Sequence, residues 1–591
     1  MIKSFFSSLP LGFTQQLKNY HGELYQQISF IKKTTPSDSL VVLPLPTKDE
    51  FIRLGNLGWS SYFLFPRIPV HESDPRIKLY KGSVYRVKLK NFEYGNSFLE
   101  ESKLNGTFSI VLLRKGDEGH FGRRIQDFTE ITPTLSNLFY ASVKLTILLL
   151  AGMLFVLWCG GEETIWELLS SSLLAGMVLN TVLHLGSSLA GFSLSERYET
   201  IMLGLLAVFG IILFFKKKVL INEIKFQKSL TGSAPFFLVG FFFLVLILKS
   251  YHTPIMTDDA CAIWGAKAKA FFAFHDLRKL FYFGSRPQYP PLLPIFMAQL
   301  GVGGEPAAKL VFPLFSLCLY QIMFQELRHM NFSSAAKKVL PLVVLTTPIF
   351  FLESFIGHAD LALAVFLTKS LILLSHLRQR NETRDWKLLC LMLCGLILVR
   401  PEGYVYVALI SLMAWMNGLF GKMKTKLSVL IIVPWFLFLF WLTLFNQSFQ
   451  GSWFSVFSGG TESGRHLIFK SIPLLLDPVC LAKTAFYFFI STTQPMFHGV
   501  LPILLFFWIL LKPKRLLQLY PVQIYFLMGA AIVLFFFALF IFPLWGYKHL
   551  FIYGLPRYST VYLPTVLLVI AKELEICFHM KKDDKTVFEK V

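Results

Sequence analysis

Charged residues are scarce in this chain, and acidic residues are the scarcer kind. Only 16% of the 591 residues are charged, against 54% hydrophobic residues and 62 Phe, and the mean hydropathy is +0.56. A soluble core cannot use that much apolar surface, so the composition predicts an all-α polytopic membrane protein. It argues against a nucleic-acid partner, because the net charge of +21 is not gathered on one face of a soluble domain.

Several familiar motifs are also missing. The chain has no GxxxxGK[ST] loop, no GxSxG elbow and no Cys/His cluster with metal-ligand spacing. Its seven Cys include no CxxC pair and fall mostly in apolar runs, which is typical of small core residues. These absences exclude a P-loop nucleotide-driven pump and the α/β-hydrolase type of serine enzyme.

The N-terminal region differs from the rest of the chain. Residues 1–136 contain charges throughout, and the pattern predicts strands at Ser39–Leu43, Ser61–Phe65 and Thr107–Leu113 with a polar helix at Thr14–Ile31. We therefore expect a small N-terminal α/β domain.

Apolar segments dominate the remaining sequence. About 11–13 transmembrane helices are expected. Their starts lie near Leu138, Trp166, Ile201, Ala234, Ala307, Val339, Leu361, Leu388, Tyr404, Leu427, Met496, Val522 and Val561. We divide this part into three N-terminal transmembrane helices (137–233), a transmembrane core (234–580) and a cytoplasmic tail (581–591).

Six basic runs orient the predicted spans. All six are expected to be cytoplasmic, as lysine and arginine near membrane-spanning segments usually are. They are Lys216–Lys218, Arg328 with Lys337 and Lys338, Arg378 with Arg380 and Arg384, Lys422–Lys426, Lys512–Arg515, and Lys581 with Lys582. The alternation holds if Pro290–Gly303 is a re-entrant or juxtamembrane helix.

This orientation gathers the remaining polar motifs on the extracytoplasmic side. They are Asp258–Asp259, His358–Asp360, Arg400–Gly403, the loop Asn446–Pro478, and Arg557 with Tyr558. Counting back three spans from Lys216 places the N-terminal domain on that side too. Ionisable groups that converge on one membrane face indicate a functional site.

Five of these segments carry a resemblance to a known family. TDDACAIWGAKAKAFF (257–272), QYPPLLP (288–294), FIGHADLALAVF (355–366), LVRPEGYVY (398–406) and LPRYSTVYLP (555–564) occur in this order. Together they resemble the GT-C superfamily of membrane glycosyltransferases, which is related to protein O-mannosyltransferases and lipid A aminoarabinose transferases. The resemblance covers residues 234–575.

The resemblance implies a multi-pass enzyme of the bacterial inner membrane. It implies a sugar donor linked to polyprenyl phosphate, a glycan, lipid or protein acceptor, and transfer on the outer face. A first-loop Asp deprotonates the acceptor in such enzymes, and the motif puts that role on Asp259. Two segments depart from the pattern: Arg400-Pro401-Glu402-Gly403 replaces Lys-Asn-Glu-Gly, and Arg286-Pro287-Gln288 replaces a segment that often holds His and Asp.

The chemistry of the residues is compatible with this expectation. Adjacent Asp258 and Asp259 cannot both ionise comfortably in a low-dielectric site, so one could have a raised pKa suited to catalysis. The alternative is that the pair caps the following helix. Arg557 is the candidate clamp for the donor phosphate, because a guanidinium can bind it in bidentate fashion, and its alternative role is an interfacial anchor.

Other polar residues are accessory candidates. Lys267 and Lys269 could attract the phosphate or extend to the headgroup level, and Tyr289, within Tyr-Pro-Pro, could shape its loop. His358 and Asp360 could assist the first-loop carboxylates, and a divalent cation, Mg²⁺ or Mn²⁺, could lie between Asp259 and Asp360. Asp360 could equally cap the helix Leu361–Leu377.

Arg400 and Glu402 complete the accessory set. Both lie on the same membrane side, and Glu402 could instead mark a polar helix break.

Two rival functions share the many spans and the basic loops. A transporter or flippase of lipid-linked sugars would show inverted repeats with matched broken helices, and no clear repeat is present. An O-antigen ligase or polymerase would use a different large outer loop, and Asn446–Pro478 is short for that purpose.

Overall fold

We describe the fold from a computed structural model of the chain. The described residues are 25–37, 39–43, 57–70, 83–89, 100–104, 108–115, 128–131, 133–160, 164–216, 234–255, 257, 259–281, 283, 286, 288–328, 330, 332–380, 382–416, 432–449, 477–493, 521–545 and 555–588.

The N-terminal region contains a mixed five-stranded sheet. Its elements are a helix at 25–34 (α1), β1 Leu40–Val42, α2 Leu57–Leu64, β2 Ile68–Val70, β3 Val84–Leu89, β4 Glu100–Leu104 and β5 Phe108–Arg114. The strand order is β2-β1-β3-β5-β4, with β1 parallel to β2 and β3, and with β5 antiparallel to β3 and β4. Parallel pairs need a crossover between strands, and α2 supplies the one between β1 and β2.

The sequence predictions for this region are partly confirmed. Strands form where Ser39–Leu43 and Thr107–Leu113 predicted them, and the end of the predicted helix Thr14–Ile31 is helical, while its first part lies outside the described residues. The predicted strand Ser61–Phe65 is wrong, because these residues fall largely within α2. A short apolar run fits a strand and a buried helix equally well, and here packing against the membrane part selects the helix.

The described residues that follow the sheet region are mostly helical. After a 3₁₀ turn at Phe128–Glu130 come α3 Leu135–Cys159, α4 Ile165–Leu189, α5 Glu196–Lys216, α6 Ala234–His252, a π-helical turn at Ala260–Gly265, α7 Ala266–Phe274, α8 Leu277–Leu280, α9 Leu292–Leu300, α10 Gly304–Ala308, α11 Val311–Arg328, α12 Ser334–Leu345, α13 Pro348–Ile356, α14 Asp360–Arg380, α15 Thr383–Val399, α16 Glu402–Met416, α17 Ile432–Phe449, α18 Pro478–Thr493, α19 Pro521–Trp545, α20 Leu555–Thr560 and α21 Leu563–Phe588.

Within the described residues, four helices are long and apolar enough to cross a membrane. They are α3, α4, α5 and most of α14, and two bent helix pairs would raise the number to six. Shorter apolar helices occur within α6, α16, α17, α18 and α19. These results support a membrane protein. The expected 11–13 spans stay a prediction, because several segments lie outside the described residues. Among these segments are the predicted span near Met496 and the greater part of the loop Asn446–Pro478.

The segment Pro290–Gly303 forms a short helix that does not run on into a straight span. The helical stretch from Leu292 to Ala308 meets α11 at an angle of 98°. Lys309 lies at this bend and is fully buried. The geometry is that of a broken span or a re-entrant segment. The re-entrant or juxtamembrane helix that the charge alternation requires stays a prediction.

The sheet region packs directly on the helix that follows the first acidic motif. α2 contacts the π-helical turn and α7. The backbone carbonyl of Tyr62 accepts a 2.7 Å hydrogen bond from Lys269 Nζ, which also lies 3.8 Å from the centre of the Tyr62 ring. Gly265 allows this approach, since a Cβ at that position would lie 2.7 Å from the same ring. The N-terminal domain and the Asp259 segment therefore form one packed unit.

Candidate functional site

Asp259 lies at the start of a π-helical turn. Pro254 precedes the turn in the chain and α7 continues from it. The carboxylate of Asp259 makes no hydrogen bond to the backbone of the turn, so the side chain does not cap the helix. The Asp259 side chain is 37% exposed, so other molecules can reach it. π-helical turns often occur at functional sites, because they redirect a side chain out of the regular helical register.

The partner of Asp259 is Arg557, which comes from α20 near the end of the chain. Arg557 Nη1 lies 2.6 Å from Asp259 Oδ2, and Arg557 Nε lies 2.9 Å from Asp360 Oδ2. Asp360 is the first residue of α14 and is 1% exposed. One guanidinium thus bridges two carboxylates from distant segments.

Arg400 extends this arrangement from the other side of Asp360. It ion-pairs with Asp360 through Nη1, and its Nη2 lies 2.8 Å from Glu402 Oε1. The Arg400 side chain is 2% exposed, whereas Glu402 is 28% exposed. The Tyr558 ring lies between the two arginines, at 5.5 Å from Arg400 Cζ and 5.6 Å from Arg557 Cζ. We call Asp259, Arg557, Asp360, Arg400 and Glu402 the charged network.

The network determines how its members are charged. Burial acts to raise the pKa of Asp259, but the charge of Arg557, the charge of His358 and the Arg557 hydrogen bond outweigh it, so the pKa lies below its usual value. Burial also acts to lower the pKa of Arg557, and Asp360 and Asp259 reverse that effect. Asp259 is therefore an ionised carboxylate at neutral pH. The raised pKa considered for one member of the Asp pair is therefore not found at Asp259, and for Asp258, which lies outside the described residues, it stays a prediction.

A second chain of polar groups lies beside the network. His358 Nε2 lies 3.0 Å from Thr257 Oγ1, and His358 Nδ1 lies 2.9 Å from Glu353 Oε1. Glu353 is 3% exposed and His358 is 12% exposed. Gly357 allows the chain to pass here, because it has φ +105° and a Cβ would lie 2.9 Å from Ala260 Cβ. Glu353, His358 and Thr257 are therefore joined in one series of polar contacts, and Thr257 lies two positions before Asp259 in the sequence.

The two lysines of the first motif bind protein carbonyl groups. Lys267 Nζ donates to the carbonyls of Arg286 and Tyr289 at 2.6 and 2.9 Å, and Lys269 Nζ lies 3.3 Å from Thr129 Oγ1 besides its bond to Tyr62. Burial lowers the pKa of Lys267 well below its usual range. These contacts hold the Tyr289 segment and the sheet region against α7. The alternative prediction, that these two side chains extend to the level of the lipid headgroups, does not describe their position here.

Tyr289 makes its contacts through its backbone carbonyl, which Lys267 binds, and through its ring. Its ring lies 5.6 Å from that of Trp264, and the carbonyl of the neighbouring Gln288 accepts a 3.0 Å hydrogen bond from Trp441 Nε1. This arrangement agrees with a loop-shaping role for the Tyr-Pro-Pro segment.

A cation between Asp259 and Asp360 would have to displace Arg557, which both carboxylates face. Among the described residues, Glu353, His358 and Asp360 have ligand atoms within 4.8 Å of one another and could hold a metal ion. Both ring nitrogens of His358 already have protein partners, and Asp360 pairs with two arginines. In this arrangement both sets of residues, the pair Asp259 and Asp360 and the group of Glu353, His358 and Asp360, therefore fit a metal ion poorly.

Two residues of the site were not identified from the sequence. Glu353 is the only carboxylate in the apolar helix α13, and such an isolated charge was a usable signal. Thr257 opens the first motif, but a hydroxyl group there has no distinguishing pattern. Six of the predicted candidates lie together: Asp259, His358, Asp360, Arg400, Glu402 and Arg557.

The chain matches no protein-family model, no curated protein and no solved structure. The resemblance to the GT-C superfamily therefore rests on the five motifs alone.

Proposed function

We propose that the protein is a membrane glycosyltransferase that moves a sugar from a polyprenyl-phosphate-linked donor to an acceptor on the extracytoplasmic face. The observation that carries this proposal is the bridge from Asp259 through Arg557 to Asp360 and Arg400. It combines a reachable carboxylate with two arginines next to apolar helices. Transfer from a lipid-linked phosphate needs a base, positive charge for the leaving phosphate and an apolar surface for the lipid tail.

Arg557 is the residue to which we assign donor binding. The Arg557 side chain is 19% exposed, whereas that of Arg400 is 2% exposed. Arg557 is therefore the more accessible of the two arginines. A phosphate that approaches the guanidinium competes with Asp259 for it. Lys267 and Lys269, the other candidates for phosphate binding, support the site by fixing α7.

The competition for Arg557 has a chemical consequence for Asp259. When the phosphate takes the guanidinium, Asp259 loses the partner that lowers its pKa and becomes a better proton acceptor. The acceptor oxygen then attacks the anomeric carbon, the bond from that carbon to the phosphate oxygen breaks, and the electron pair leaves on the polyprenyl phosphate. The acceptor proton goes to Asp259. Donor binding would thus activate the base.

The experiment is a reconstitution in nanodiscs with synthetic undecaprenyl-phosphate-linked hexoses and pentoses. We expect release of undecaprenyl phosphate together with a glycosylated product, and none from an Asp259→Asn protein that remains inserted and folded. A glycolipid profile of a deletion strain would name the natural acceptor. Transport of an intact lipid-linked sugar across the bilayer, without cleavage, would instead favour a flippase.

A further inference from the structure

We propose that Thr257, His358 and Glu353 form a subsite that orients the acceptor by binding a hydroxyl group next to the one that attacks. This inference rests on the proposed glycosyl transfer and adds to it the place where the second substrate binds. The three residues contact one another as described above, and they lie on separate segments of the chain: the turn before Asp259, the end of α13 and the loop before α14.

The direction of the hydrogen bonds follows from the buried carboxylate. Glu353 Oε1 can only accept when ionised, so His358 Nδ1 carries the proton that it donates to Glu353. In the neutral ring, Nε2 is then an acceptor, and the Thr257 hydroxyl donates to it. The oxygen of Thr257 keeps lone pairs that can accept a hydrogen bond from another hydroxyl group.

The charges of the site separate its two substrates. Arg557 offers a partly exposed guanidinium, which suits the donor phosphate. Thr257 is neutral, partly exposed and only two residues from Asp259, which suits a second hydroxyl group of the acceptor that keeps its proton and donates to Thr257 while the attacking hydroxyl gives its proton to Asp259.

The backbone is built to keep this subsite in place. Gly357 adopts a left-handed conformation that a residue with a Cβ rarely takes, and its close approach to Ala260 brings the His358 loop against the start of the π-helical turn. Both ring nitrogens of His358 are held by protein partners, so the imidazole has a single orientation. A fixed acceptor for a hydroxyl group reduces the entropy lost when the substrate is oriented.

The test separates the Michaelis constants of donor and acceptor. Initial rates are measured with synthetic undecaprenyl-phosphate-linked sugars as donors and soluble hexyl glycosides as hydroxyl acceptors. Thr257→Val removes the hydroxyl at nearly constant volume, and we expect the acceptor KM to rise about three- to tenfold, the scale of one neutral hydrogen bond, with the donor KM unchanged.

Three further variants make the result specific. Thr257→Ser keeps the hydroxyl and should stay near wild type, and His358→Gln should change the acceptor KM in the same direction as Thr257→Val. His376→Gln is the matched control, since His376 pairs with Glu326 at 3.2 Å outside the site and both constants should stay unchanged. A Thr257→Val protein with the wild-type acceptor KM, or with donor and acceptor KM raised equally, overturns the subsite. Wild-type protein that transfers from none of the donors contradicts the proposed function itself, and the subsite with it.

Discussion

Arg557 and Asp259 are 298 positions apart in the chain, yet Arg557 Nη1 and Asp259 Oδ2 are 2.6 Å apart. The same guanidinium lies 2.9 Å from Asp360, so one cation joins the first polar loop, the start of α14 and the short helix before the last span. An interfacial anchor would extend to the headgroups and would not need two carboxylate partners. The contact connects the segments on which the proposed chemistry depends.

Asp259→Asn should abolish transfer and leave the protein inserted and folded. The amide keeps the shape of the side chain but cannot accept a proton at neutral pH, and loss of a general base typically costs about 10²–10⁴-fold in rate. Turnover with polyprenyl-phosphate sugars and size-exclusion behaviour are the measurements. Asp258→Asn should do less damage, and near wild-type turnover of Asp259→Asn would refute the assignment of the base.

Arg557→Lys should weaken donor binding by about 1–3 kcal/mol. Lysine keeps the charge but loses the bidentate geometry, and it cannot contact Asp259 and Asp360 with two separate nitrogens. Arg557→Ala should be worse. Donor saturation with the acceptor in excess gives the answer: a raised donor KM supports the clamp, and unchanged donor kinetics with lower expression would leave only an anchoring role.

Acid should remove a stabilising contact that depends on Asp259. Its pKa is lower in the folded protein than in the unfolded chain, so the contribution to stability is fully present above the unfolded pKa of about 4 and disappears as the pH falls through the lower folded value. Unfolding temperatures of wild type and Asp259→Asn in nanodiscs should therefore differ at pH 7 and converge below about pH 4. A constant difference down to pH 3 would mean that the ion pair does not stabilise the fold.

Gly265→Ala should destabilise the protein by about 1–3 kcal/mol. A Cβ would lie 2.7 Å from the Tyr62 ring, and such overpacking forces one of the two elements to move. Gly186→Ala is the control, because that Cβ meets nothing within 4 Å and alanine favours the helix α4. Thermal unfolding of both proteins measures the effect, and equal stabilities would show that α2 and α7 are not tightly docked.

The predicted orientation can be checked by labelling single cysteines in a background without the native thiols. Cysteines at Gly459 and Gly554 should react with an impermeant reagent from outside, and one at Lys424 should not, because Lys422–Lys426 is a basic run. These three positions lie outside the described residues, so the prediction rests on charge alone. Labelling at Lys424 and at neither of the others would reverse the orientation.

Much of this architecture could be predicted because hydrophobicity determines it. The starts of α3, α4, α5, α6, α14 and α19 all lie within about five residues of the predicted apolar segments. The bend between Ala308 and Val311 follows the segment Pro290–Gly303, whose re-entrant or juxtamembrane placement stays a prediction from the charge alternation. The predicted strand Ser61–Phe65 failed because the run SSYFL has no alternation that distinguishes a strand from a buried helix.

The sequence was sufficient to predict which residues belong to the candidate site, but not which of them contact each other. Charged residues next to apolar runs are conspicuous, which is why Asp259, Asp360, Arg400 and Arg557 could be selected. Their connections are tertiary: the sequence has no means of showing that Asp360 would receive two arginines, or that Lys269 would bind the carbonyl of Tyr62. For the same reason the sequence could not show that Arg557 would lower the pKa of Asp259.

The docking of α2 on α7 also bears on how the protein is made. The Lys269 contact with Tyr62 joins residues 207 positions apart. At roughly 5–20 residues per second, a ribosome needs about 10–40 s to synthesise that interval. During this time the face of α2 that packs on the π-helical turn and α7 waits for these partners, although its contact with β2 can already form. The sheet region therefore cannot complete its packing before the π-helical turn has been made, which makes this docking a late step in the assembly of the Asp259 site.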